Sequence, residues 1–82
     1  MKLKILYFSL LRDVTGTEEE LIEVTSESDT VAMILEDLFR NHPELRKWDD
    51  RLLLALDCEY VNRGDRIGQG RELALMPPVQ GG

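Results

Sequence analysis

Hydrophobic and polar positions alternate strictly at the start of the chain. Leu3, Ile5 and Tyr7 fall on one face, and Lys2, Lys4, Leu6 and Phe8 on the other. A period of two predicts a strand over residues 2–8. Residues 9–14 read as a short helical turn, closed by Gly16, which can take the left-handed conformation at a helix end. Residues 20–24 predict a second strand, with Leu21 among charged neighbours, returning from the first as a hairpin. The pattern then changes period. Val31, Ile34, Leu35, Leu38 and Phe39 follow i, i+3, i+4, i+7, i+8 spacing, the apolar stripe of an amphipathic helix. Ser28, Asp29 and Thr30 are three candidate N-caps for it. It ends near Asn41 and His42, because a residue before proline is pushed out of the helical region. Residues 43–48 add one more turn. The continuous apolar run at 52–56 predicts a strand inside a sheet. Asp57-Cys58 reads as a two-residue turn into a short strand at 59–61. Residues 63–71, with Gly64, Gly68 and Gly70, read as loop. Residues 72–76 form the last strand, ended by Pro77-Pro78, which cannot donate to a ladder.

The order strand, strand, helix, strand, short strand, strand predicts an α+β fold. One main amphipathic helix covers one face of a mixed sheet of four to five strands. With the first and last strands parallel at the centre, this is a ubiquitin-like β-grasp. A chain of 82 residues makes one domain over 1–82, and the expected flexible tail is 79–82. A core this thin favours presenting a surface or a tail to a larger partner over housing a deep active site.

Net charge narrows the partners. At −6, the chain lacks the clustered basic face that nucleic acid requires. It suits docking on a basic protein surface. No apolar run approaches the roughly 20 residues that span a bilayer, and the opening Met1-Lys2-Leu3-Lys4 passes straight into a strand pattern, so the expectation is a cytoplasmic protein without membrane contact.

Side-chain chemistry is sparse. His42 is the sole histidine and reads as a helix-terminal residue. Cys58 is the sole cysteine, so no internal disulfide or redox pair can form, and it reads as a turn or packing residue. No Cys/His cluster has metal-ligand spacing, so no metal site is expected. Glu18-Glu19-Glu20 and Asp49-Asp50 read as solvated faces. The glycines at 64, 68 and 70 carry no phosphate-loop pattern. What remains is the tail. Pro77 and Pro78 set its direction as it leaves the sheet. Val79, Gln80, Gly81 and Gly82 then reach roughly 13 Å when extended. Gly81 and Gly82 lack side chains, so they can thread a narrow channel. The terminal carboxylate resists nucleophiles until it is converted to an acyl-adenylate. The candidate reactive centre is therefore Gly82, with Gly81 beside it.

The chain resembles the small, sulfur-carrier subunits of molybdopterin synthase along essentially its whole length. The resemblance rests on Tyr7-Phe8, on Arg12-Asp13 with Gly16, on Leu53-Leu54-Ala55-Leu56, and on the ending Leu73 to Gly82 with its Pro-Pro-Val-Gln-Gly-Gly. It implies that Gly82 is adenylylated by an activating enzyme similar to ubiquitin-activating enzymes, at the expense of ATP. A sulfur donor protein then converts it to a thiocarboxylate. The tail enters the large synthase subunit and delivers sulfur to precursor Z (cyclic pyranopterin monophosphate), in an assembly of two carriers and two large subunits. The carrier itself binds no cofactor and is not an enzyme alone. The resemblance also assigns Phe8, Arg12, Tyr60, Met76, Pro77, Pro78, Val79 and Gln80 to partner binding. Strand phase agrees in part, since Phe8 and Met76 fall opposite the Leu/Ile face that the helix covers. The family often has Asn where this chain has Asp57, and Gly-Asp-Glu where this chain has Gly70-Arg71-Glu72. The alternatives are a carrier serving thiamin, cysteine or tRNA thiolation, and a ubiquitin-like protein modifier.

Overall fold

The computed structural model describes residues 1–78. Five strands form one mixed sheet: β1 (Lys2–Tyr7), β2 (Glu19–Glu23), β3 (Leu53–Leu56), β4 (Glu59–Tyr60) and β5 (Glu72–Met76). Two α-helices, α1 (Leu11–Thr15) and α2 (Val31–Asn41), and a 3-10 helix (Pro43–Arg51) complete the chain. The strand order is β2-β1-β5-β3-β4. The central pair β1/β5 is parallel, with Ile5 opposite Leu73 and Tyr7 opposite Leu75. Its neighbours β2 and β3 run antiparallel to it. A parallel pair needs a crossover, and α2 lies within the connection that supplies it. The predicted α+β arrangement is therefore the one observed.

The helix stripe packs as its spacing requires. Val31, Ile34, Leu35, Leu38 and Phe39 are all buried. They meet Leu3, Ile5, Tyr7, Leu73 and Leu75 from the covered sheet face. Each such burial stabilises the fold by roughly 1.5–3 kcal/mol. Of the three candidate caps, Thr30 is the one used: its Oγ1 accepts from the Met33 N–H at 3.2 Å. The first two free amides of α2 donate to the carbonyls of Asp65 and Arg63, each at 2.9 Å.

Three stretches differ from expectation. The 3-10 helix runs nine residues instead of one turn, because Leu45 is buried in the core and the Arg51 guanidinium lies 4.6 Å from the Trp48 ring. The glycine-containing loop is not a plain surface loop. It buries Ile67, whose N–H donates to the Asp29 carbonyl at 2.7 Å, and it supplies the acceptors for the start of α2. β1 stops one residue early and α1 starts two residues late, because Ser9 turns the chain with φ +55°. Gly16 ends α1 in the left-handed conformation, φ +80°, as predicted.

Candidate functional site

The sheet has one covered face and one open face. Strand alternation places Lys2, Lys4 and Leu6 of β1 on the open face, with Glu72, Ala74 and Met76 of β5, and Phe8, just past the end of β1, lines the same face. Leu53 stands opposite Met76, Ala55 opposite Ala74, and Tyr60 opposite Ala55. The open face therefore divides in two. Towards the start of β1, Lys2 pairs with Glu23, and Lys4 reaches both Glu19 at 3.4 Å and Glu72 at 3.9 Å. Towards the end of β5, where the chain leaves for Pro77-Pro78, the surface is apolar.

That apolar half forms a hollow of about 280 Å³ lined by Leu6, Phe8, Ala55, Tyr60, Ala74 and Met76. Cys58 and Glu72 complete its rim. Phe8 is 46% and Tyr60 77% exposed, while Met76, Pro77 and Pro78 are half-buried. Two exposed aromatic rings gathered with a half-buried methionine on one face make an apolar patch, and such patches mark binding surfaces. The predicted site residues Phe8, Tyr60 and Met76 are thus brought together, and Pro77-Pro78 continue from the same edge. Val79, Gln80, Gly81 and Gly82 lie outside the described residues.

Arg12 sits beside this group, with its side chain turned to its own chain. Its Nε donates to the Ser9 carbonyl and its Nη1 to Glu18 Oε1, both at 3.3 Å. Cys58 occupies the Asp57-Cys58 turn with an exposed free thiol. Both turn residues have positive φ, +49° and +71°, as a two-residue hairpin turn of this hand demands.

Two arrangements escaped the sequence reading. The Asp57 carboxylate accepts from the backbone N–H groups of Arg71 and Glu72, each at 3.0 Å, and so ties the β3–β4 turn to the start of β5. The Tyr7 hydroxyl donates to Glu20 Oε1 at 3.2 Å, and Nε2 of His42 lies 3.1 Å from Glu20 Oε2. Burial, and then the Glu20 carboxylate, push the Tyr7 phenol far above its usual range. The phase of β2 carried a signal for this cluster, since Glu20 shares the covered face with Ile22. His42 does end α2, as expected. Among the described residues, no group of three or more His, Cys, Asp or Glu could hold a metal ion. No helix among them is long and apolar enough to cross a membrane.

A parallel central strand pair flanked by antiparallel strands, with one covering helix and one open face, defines a ubiquitin-like β-grasp protein. The chain belongs to the ThiS family, whose model matches residues 5–82. It is 36% identical to the molybdopterin synthase sulfur carrier subunit of Caenorhabditis elegans, over 100% of this chain and 99% of that one. It is 30% identical to the protein of the same name in Homo sapiens, over 99% of this chain and 94% of that one. Its fold matches the crystal structure of SAMP1 from Haloferax volcanii, a small archaeal modifier protein, with a TM-score of 0.82, 30% identity and full coverage of both chains.

Proposed function

We propose that this chain is the sulfur carrier subunit of a molybdopterin synthase. The observation that carries the reading is full-length similarity, at 30–36% identity, to relatives bearing that name. In the proposed cycle, a Gly82 carboxylate oxygen attacks the α-phosphorus of ATP on an adenylyltransferase related to ubiquitin-activating enzymes. Pyrophosphate leaves and an acyl-adenylate forms. Hydrosulfide, sulfur at the sulfide level released by a donor protein, attacks the acyl carbon and displaces AMP; the S–H proton is lost to solvent and a thiocarboxylate remains. The tail then enters the large synthase subunit and gives its sulfur to precursor Z. The chain contributes a carrier terminus and a docking face, and the catalytic groups belong to its partners. The setting is cytoplasmic, and the working assembly is a heterotetramer of two carriers and two large subunits.

The open apolar face supports docking close to the tail. Phe8, Tyr60 and Met76 lie where the last strand leaves the sheet, so a partner gripping them holds the stem of the tail at the same time. Anchoring the stem limits the search of the terminus for the reacting centre.

The test is intact mass. The full chain is incubated with the adenylyltransferase, ATP and a sulfur source, then supplied to the large subunit with precursor Z. The expected result is a gain equal to exchange of one oxygen for sulfur, followed by dithiolene formation. No mass gain, or a gain with no transfer to the pterin, would overturn the assignment. The likeness to SAMP1 favours a second reading, a modifier joined to amines of other proteins. It predicts mass-shifted conjugates of cellular proteins that depend on Gly82.

A further inference from the structure

Among the described residues, three other than glycine have positive φ: Ser9, Asp57 and Cys58. The last two are accounted for by their hairpin turn. Ser9 belongs to no hairpin, and left-handed backbone is uncommon for a residue such as serine. It immediately follows Phe8, the aromatic residue on the open face. The surroundings of Ser9 form a small closed circuit. Its carbonyl accepts from both the backbone N–H of Arg12 at 3.1 Å and Nε of Arg12 at 3.3 Å. Arg12 continues to the Glu18 side chain. The Glu18 carbonyl in turn accepts from the Tyr7 N–H at 2.9 Å, which returns the circuit to the residue before Phe8. Phe8 itself donates to the Leu75 carbonyl and accepts from the Leu11 N–H, both at 3.1 Å. An exposed ring is thus carried on backbone held from both sides.

We propose that Arg12 is a positioning residue for Phe8, acting through the Ser9 carbonyl and the Glu18 carboxylate and not as a contact of the partner. The proposal rests on the docking reading above. Nε and Nη1 of the guanidinium are both engaged by its own chain, and through them the side chain holds the turn that presents Phe8. An exposed ion pair such as Arg12–Glu18 contributes little to overall stability. Its consequence falls on the placement of one ring, and an anchor held ready in its bound position loses less freedom on docking.

A double-mutant cycle decides the matter. Binding of the full chain to the molybdopterin synthase large subunit is measured by calorimetry for the wild type, Phe8→Ala, Arg12→Ala and the double variant, with thermal melts of each. Phe8→Ala is expected to weaken binding about tenfold or more. Arg12→Ala should weaken it about threefold or more in the wild-type background and by less than about 1.5-fold once Phe8 is gone, because residues acting as a unit are not additive. Glu18→Gln should show the same coupling. Arg12→Lys keeps the charge and loses the fork, so it should bind like Arg12→Ala. Equal loss from Arg12→Ala in both backgrounds, no loss in either, or full rescue by lysine would each overturn the proposal. If Phe8→Ala binds as tightly as wild type, the docking reading itself fails, and the positioning role falls with it.

Discussion

Tyr7, the last residue of β1, and Phe8, the residue that follows it, are chain neighbours on opposite faces of the sheet, and their environments differ accordingly: Tyr7 is 2% exposed, Phe8 46%. One serves the core, the other the open surface. Tyr7→Ala should therefore cost about 3–5 kcal/mol of stability, as truncation of a buried aromatic does. Phe8→Ala and Met76→Ala should leave the melting temperature nearly unchanged while weakening docking by about 1–2 kcal/mol or more. Paired melts and binding titrations check this. Parallel losses of stability and affinity in the Phe8 variant would place that residue in the core.

Alkaline titration tests the Tyr7–Glu20 bond. Burial and the neighbouring carboxylate raise the folded phenol's pKa above its unfolded value. The stabilisation is then complete below the unfolded value of about 10 and declines as pH rises from there toward the folded value. In Tyr60→Phe, where Tyr7 is the one remaining tyrosine, phenolate absorbance should appear only together with loss of folded circular dichroism. Tyr7→Phe should lose about 0.5–1.5 kcal/mol at neutral pH and shed this alkaline dependence. Phenolate appearing in the folded protein near pH 10 would contradict the assignment.

Gly70 should not tolerate a methyl group. A Cβ built there lies 2.7–2.8 Å from three side-chain carbons of Leu56, including the branched Cγ. Its φ is ordinary, so the obstacle is space alone. Gly70→Ala is expected to destabilise by about 1–3 kcal/mol, the usual cost of overpacking. A companion Leu56→Ala should recover part of the loss in the double variant. Chemical denaturation of the three variants supplies the comparison.

At the tail, Gly81→Ala or Gly82→Ala should leave thermal melts untouched and slow sulfur transfer. Deleting Gly82 should be more severe, because the acyl carbon falls short by roughly 3.5 Å and a misplacement of about 1 Å can already cost about 10²-fold. Cys58→Ala should leave thiocarboxylate formation unchanged, since that thiol lies in a turn on the sheet. The readout is dithiolene formed from each variant under single-turnover conditions. Wild-type turnover by the Gly82 deletion would remove the basis of the functional reading.

Local pattern determined a good deal of this protein. Period two in β1 and β5 settled which residues face the core, and it therefore placed Phe8 and Met76 on the opposite surface before any tertiary information. The i, i+3, i+4 stripe of Val31 to Phe39 specified α2 and its buried side, because helix geometry repeats within a few residues. Gly16 and Asp57-Cys58 marked their turns, and Pro77-Pro78 the end of β5, through backbone preference alone. Tertiary structure decided what depends on residues distant in sequence. Tyr60 joined Phe8 and Met76 only through the strand order β2-β1-β5-β3-β4, which no local period encodes. The same holds for Glu20 between Tyr7 and His42, for Asp57 capping Arg71 and Glu72, and for Ile67 filling the core from a glycine-containing loop. In each case a polar or apolar group found its partner across the fold. Such choices follow from desolvation and the need to satisfy buried hydrogen bonds, and both act in space, not along the chain.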